Sequence, residues 1–161
     1  MRNMIFKESQ KIKNTYIWVI LVISLILLSI SIILPFLNTI RTKGIWLAVI
    51  IIIATIALLA SIKMQIRIDQ NKLMFRYIPF INGWREYSFD EIEDMKLIKY
   101  SSLRQFGGWG IRYNFDSWLY NTGGKYGIKV KVGKKKFILG TYKPEEAEVA
   151  ISQYRNFKIN N

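Results

Sequence analysis

Nucleophilic systems built on imidazole or thiolate have no residues to work with here, because the 161-residue chain contains neither His nor Cys. Ser-His-Asp and Cys-His arrangements are excluded, as are zinc sites of imidazole or thiolate, disulfides and lipid attachment at a thiol. Carboxylates remain, and they are scarce: 11 Asp and Glu against 24 Lys and Arg. Asp90, Glu91, Glu93 and Asp94 form the one cluster. Acid–base or metal chemistry needs a convergent second group, and no nucleophile or second acidic cluster is identifiable beside these four. Four acids around one turn fit a helix cap or a solvated face. No catalytic residue, metal or cofactor is assigned, and the expectation is a protein that is not an enzyme.

Binding chemistry is better supplied. Lys125, Lys129, Lys131, Lys134, Lys135, Lys136 and Lys143 crowd one short stretch. Gly133-Lys134 has the Gly-X form of a two-residue hairpin loop, which sets Val130 opposite Phe137, Ile128 opposite Leu139 and Lys131 opposite Lys136. Like charges directly opposite are destabilising, and a nearby anion would relieve them. Lys129, Lys131, Lys134, Lys135 and Lys136 are therefore the candidate contacts to anionic lipid headgroups; lysines guarding a solvated strand edge are the alternative. From Lys63 onward there are 18 Lys and Arg against 10 Asp and Glu, a net charge of +8. Each basic residue close to an anionic leaflet contributes about 1 kcal/mol. Nucleic acid is set aside as a partner, since a membrane location accounts for the charge.

The second binding candidate is Phe106-Gly107-Gly108-Trp109-Gly110-Ile111-Arg112. Glycines around a Trp allow positive φ and close backbone approach beside a large ring. One reading makes this the lip of a ligand or partner groove, with Trp109 as anchor and Arg112 as anion contact. The other makes it a bulge that turns a sheet corner, with Trp109 buried. Its spacing matches neither dinucleotide nor P-loop patterns, and Gly123-Gly124-Lys125 reads as a simple turn.

The elements that must position these residues divide the chain. Two uncharged apolar runs, 16–37 and 45–62, would reach about 33 Å and 27 Å as helices, against a hydrocarbon core of about 30 Å. They predict a two-helix transmembrane hairpin over 16–62, preceded by a cytoplasmic segment 1–15. Arg2, Lys7, Lys11 and Lys13 precede the first run, while the connector 38–44 carries only Arg41 and Lys43. The positive-inside rule then places both termini in the cytoplasm of a multi-pass protein, with the lipid bilayer as its first partner. No ionisable residue lies within either run, which argues against a transporter. Ser24 with Ser31, and Ala54, Ala57 and Ser61, form small-residue stripes; they suit a homo-oligomer seam or packing of the hairpin on itself.

Residues 63–161 read as a mainly-β domain. Period-two alternation marks strands at Met64–Asp69, Leu73–Phe80, Trp84–Ser88, Met95–Tyr100, Gly110–Phe115, Ser117–Asn121 and Tyr126–Val132 and its hairpin partner. Pro144, Glu145 and Glu146 open a closing helix whose apolar stripe is Ala147, Ala150, Ile151 and Tyr154.

The pieces WREYSFDEIEDMKLIKY, FGGWGIR, GKYGIKVKV and FILGTYKPEE, in that order, resemble the bacterial pleckstrin-homology-like domains of small membrane proteins. The likeness runs from about Met64 to Tyr154. It implies about seven antiparallel strands in a two-sheet, partly open barrel with a C-terminal α-helix, and it supplies no catalytic residue or ligand. The expected function is a membrane-anchored binding or scaffold module at the cytoplasmic face of the inner membrane, engaging a protein partner, anionic lipid, or both. Immunity to a membrane-active peptide, or an accessory role in a transporter or secretion complex, are the alternatives.

Overall fold

The computed structural model describes residues 5–12, 15–36 and 43–160, without the side chains at 15–17, 20, 27, 31–36, 43–48 and 160. The chain divides into two units: Met1–Ile12 with Ile62–Asn161, and Lys13–Ser61.

The smaller unit holds α1 (Thr15–Phe36) and α2 (Lys43–Ser61). Its hydroxyls turn back on their own helices: Ser24 and Ser29 in α1, and Thr55 and Ser61 in α2, each donate to a carbonyl three or four residues earlier at 2.7–2.8 Å. Large apolar side chains such as Val22, Ile26, Ile51 and Ile53 are exposed. Among the described residues, however, no helix is long and apolar enough to cross a membrane. The expected transmembrane hairpin, and with it the multi-pass assignment, is corrected on that finding. Most of the expected outer loop, 38–44, and the side chains of Ser31 and Pro35 lie outside the described residues.

The larger unit is mainly β, two sheets and a C-terminal helix. The first sheet runs β1 (Phe6–Lys11), β2 (Lys63–Ile68), β3 (Lys72–Ile78), β4 (Ile81–Ser88), all neighbours antiparallel. The second is built from β5 (Asp94–Lys99), β6 (Gly110–Tyr113), β7 (Trp118–Asn121), β8 (Tyr126–Val132) and β9 (Lys135–Thr141), in the spatial order β5-β8-β9-β7-β6. A short α3 (Ser102–Phe106) precedes β6, and α4 (Pro144–Asn160) closes the chain.

Three features differ from the expectation. Among the described residues nine strands form, where about seven were implied. One pairing, β7 with β9, is parallel. The segment before α1, expected to lie outside the domain, is its first strand. In β1 the buried positions are Phe6, Glu8 and Gln10, so two of its three inward residues are polar and the apolar alternation that marks a strand is absent.

Those two polar residues reach the second sheet. Gln10 donates to the Gly140 carbonyl (2.7 Å) and accepts from Thr122 (3.0 Å). Glu8 accepts from the Thr141 hydroxyl (2.6 Å) and the Tyr142 amide (2.9 Å). Apolar residues fill the rest of the space between the sheets. Met64, Ile66, Ile68, Leu73 and Phe75 are fully buried on one side, and Ile128, Val130 and Leu139 on the other. Each such side chain contributes about 1.5–3 kcal/mol by leaving water. The Phe75 ring meets Tyr120 at 5.0 Å and Phe137 at 5.4 Å.

At α4 the expected stripe holds: Ala147, Ala150 and Ile151 are fully buried and Tyr154 nearly so, its ring edge-on to Phe89 and its hydroxyl donating to the Ile92 carbonyl at 2.9 Å. The β8–β9 hairpin also has the expected register, with Val130 opposite Phe137 and Lys131 opposite Lys136.

Between β7 and β8 the chain must step past β9, a distance of two strand spacings, about 9.6 Å. The turn 122–125 makes that step. Gly123 sits at φ 133°, and a Cβ there would lie 2.5 Å from the Tyr142 hydroxyl, which itself donates to the Thr122 carbonyl. On the outer face of the same sheet, Gly127 and Gly140 stand opposite each other, and a Cβ on either would come within 2.9 Å of Tyr100. The paired glycines leave a trough for that ring.

Lys11 pairs with Lys63, so the chain leaves for the helical unit and returns on neighbouring strands. A fragment 63–161 should therefore fail to unfold cooperatively, because it lacks β1 and leaves the Thr141 and Tyr142 donors without Glu8. Residues 1–12 joined to 62–161 by a short Gly/Asn turn should restore a single thermal transition. Equal cooperativity of the two fragments would show that β1 is dispensable.

Candidate binding site

The Phe106–Arg112 stretch is built on a helix end. Ser101 caps α3, and Gly107 ends it in the left-handed region at φ 68°, with the Gly107 and Gly108 amides donating to the Leu103 and Ser102 carbonyls. Gly108 (φ 144°) and Gly110 (φ 98°) then carry the backbone round Trp109 into β6. These conformations favour glycine, as the sequence implied.

Trp109 is half-buried and borders a shallow recess of about 410 Å³, together with Lys99, Leu103 and Lys125. Arg112 does not extend into it. Its Nε donates to the Trp109 carbonyl at 3.1 Å, which folds the side chain over Gly108. The loop is thus a helix cap leading into a strand, with Trp109 beside two cations.

Asn121 holds that loop in place. Fully buried, it donates to the Tyr100 hydroxyl (2.9 Å) and Ser102 hydroxyl (2.8 Å), and its Oδ1 accepts from the Gly110 amide (2.9 Å). Its own carbonyl accepts from Tyr77 of the first sheet at 2.9 Å. Burial pushes the Tyr77 hydroxyl up to about 12, so it stays protonated and remains a donor across ordinary pH.

The lysine hairpin is less bare than its sequence suggests. Lys131 meets Glu93 at 2.5 Å, Lys136 meets Asp116 at 2.5 Å, and Lys96 meets Asp94 at 3.0 Å. The Lys131 bond holds the Glu93 carboxyl below its usual range, and Lys136 does the same for Asp116. Lys131 and Lys136 are relieved by carboxylates of the chain itself. The acidic cluster is spent similarly, since Asp90 and Glu91 accept from the Ser88 hydroxyl and amide. Lys134 and Lys135 are exposed and have no ion-pair partner among the described residues; Lys129 is half-buried on β8 and lies near Asp116.

Parallel pairing of β7 with β9 sets Trp118 beside Phe137. The loops that lead into these two strands, 114–117 and 133–134, therefore lie at the same end of the sheet. The first loop is aromatic. Phe115 is 94% exposed at φ 65°, and Tyr113 (50%) and Trp118 (45%) stand beside it, Tyr113 lying 6.0 Å from Phe115 and 5.0 Å from Trp118 between ring centres. Asn114 fixes the turn, its Oδ1 accepting from the Ser117 amide at 2.9 Å. The second loop carries Lys134, and Lys135 opens β9 directly after it. The structure thus joins the lysines to Tyr113, Phe115 and Trp118, and Trp109 lies in a different recess.

A further basic surface was missed. On the outer face of the first sheet, Lys7 pairs with Arg67 and Lys11 with Lys63. The guanidinium groups of Arg67 and Arg76 stand 4.4 Å and 4.6 Å from the Trp84 ring. Among the described residues, the ion pairs give this face one carboxylate, Glu86, held by Lys72. No local pattern announces this grouping, because Lys7 and Lys11 are separated from their partners by the whole helical unit.

No family model, curated protein or solved structure matches this chain.

Replacing Asn121 by Leu keeps the volume and strands three partners, the Gly110 amide and the Tyr100 and Ser102 hydroxyls. A loss of about 2–4 kcal/mol in urea unfolding is expected, together with faster hydrogen exchange at Gly110. A loss under 0.5 kcal/mol would mean that the loop is held by other contacts.

Proposed function

We propose that the β-rich unit is a non-catalytic binding module that docks on the anionic surface of a membrane through the tips of its two adjacent hairpins. The observation that carries this reading is the juxtaposition of Phe115, 94% exposed, with Lys134 and Lys135 at one end of the sheet. Aromatic side chains favour the headgroup level of a bilayer, and cations are drawn to its negative charge. An exposed Phe at the end of a tight loop, at a positive φ that costs about 1–3 kcal/mol, is better suited to insertion than to holding the fold. The net +8 of residues 63–161 supports the same partner through long-range attraction. The resemblance to pleckstrin-homology-like domains agrees with a binding role.

Because the chain has no Cys, Phe115→Cys offers a single attachment point for an environment-sensitive aromatic fluorophore. On the full chain, emission should shift to the blue with vesicles of phosphatidylglycerol and phosphatidylcholine, and not with phosphatidylcholine alone. Raising salt from 0.1 M to 1 M should reverse the shift as the Debye length falls from about 10 Å to about 3 Å. Adding Lys134→Glu and Lys135→Glu should weaken docking by a factor of about 30 or more, since two ammonium groups contribute about 2 kcal/mol. An equal shift on neutral vesicles would remove the electrostatic reading. No shift on either would point to a protein ligand.

A further inference from the structure

Next to the tips, the two sheets part along the β4 edge and leave a groove of about 400 Å³. Phe75, Tyr87 and Phe137 form its floor, in mutual ring contact at 5.1–6.4 Å. Trp118 and Tyr120, stacked at 6.4 Å, line it from the second sheet. Cations stand among the aromatic walls: Arg85 from β4, and Lys135 and Lys136 from β9. Lys136 is held by Asp116, whereas Arg85 and Lys135 have no ion-pair partner among the described residues. The Arg85 Nη1 donates to the Tyr120 hydroxyl at 3.2 Å. Burial pushes that hydroxyl's pKa up, so it keeps its proton, and the oxygen that accepts from Arg85 still has an O–H to give.

Binding grooves are mostly apolar, with a few convergent polar groups that fix orientation. Here the convergent groups are all donors, two of them cationic, and the walls are aromatic. We infer that the groove binds a single amphiphile, an apolar chain ending in one anionic head, with the chain along Phe80, Tyr87 and Trp118 and the head at Arg85, Tyr120 and Lys135. This goes beyond surface docking, because a monomer in solution meets the same groups. A carboxylate and a phosphate monoester share the required chemistry. A free amphiphile and a bilayer lipid present the same anionic head, and the test distinguishes the two sources.

The test is a residue-resolved amide NMR titration of the full chain with decanoate below its micelle concentration, with decanol as the uncharged control. Saturable shifts are expected at 85–87, 118–120 and 135–137, at least tenfold weaker with decanol. Arg85→Glu should weaken decanoate at least tenfold and Arg85→Gln less; Arg85 is exposed, so both should keep the wild-type spectrum elsewhere. Phe115→Ser should leave decanoate binding unchanged while reducing vesicle docking, which separates failure of the groove from failure of the tips. If shifts appear only with phosphatidylglycerol vesicles, the ligand is not a free monomer and the inference fails. It fails equally if decanol binds as well as decanoate, or if Arg85→Glu has no effect.

Discussion

The parallel pairing of β7 with β9 is the constraint on which the binding surface depends. Every other neighbouring pair in the two sheets is antiparallel, and antiparallel neighbours joined by a hairpin put their connecting turn between them. A parallel pair brings together the starts of two strands that the chain enters from different hairpins. That is how an aromatic loop at 114–117 comes to lie beside a lysine loop at 133–134. The step from β7 past β9 rests on Gly123, whose Cβ position is occupied by the Tyr142 hydroxyl, and Asn121 just before it ties the end of β7 to α3, β6 and the first sheet.

Charge is distributed unevenly around that frame. The outer face of the β8–β9 hairpin is rich in Lys but largely compensated, with Glu93, Asp94 and Asp116 each in contact with an ammonium group. Exposed pairs of this kind contribute about 0–1 kcal/mol each, so their effect is to lower the local positive potential rather than to hold the fold. Cations outside these pairs stand at the lysine loop, beside Trp109 (Lys99 and Lys125), at Arg85, and on the outer face of the first sheet around Arg67, Trp84 and Arg76. Lysine density along the chain and positive potential in space are therefore different quantities here.

What could be read from the sequence follows from the range of the interactions involved. The β8–β9 register is set by a two-residue loop and by alternation within one hairpin. The stripe of α4 lies within a few turns of one helix. Both are local, and both were legible. β1 was not, because its partner β2 follows the intervening helical segment and its inward residues Glu8 and Gln10 are polar; it is held by hydrogen bonds to the other sheet. The β7–β9 pairing was invisible because each strand is already explained by its own hairpin. Trp109 drew attention through its flanking glycines, which serve a helix cap, while Phe115 and Trp118 passed as ordinary strand residues. The apolar runs at 16–37 and 45–62 were read from uninterrupted hydrophobicity alone; what the structure describes of them is helical, and among the described residues no helix is long and apolar enough to cross a membrane.

Hydrogen exchange of the full chain, measured with anionic and with neutral vesicles, tests docking by the hairpin tips most directly, because it reports every segment at once. Amides of exposed loop residues such as Phe115 and Lys134 exchange readily unless something covers them. The account predicts new protection concentrated in those two loops on phosphatidylglycerol-containing vesicles, absent on neutral ones and lost at 1 M salt. Unchanged exchange in both loops, with protection appearing instead along β1 to β3, would place the anionic contact on the Arg67–Trp84–Arg76 face and contradict it.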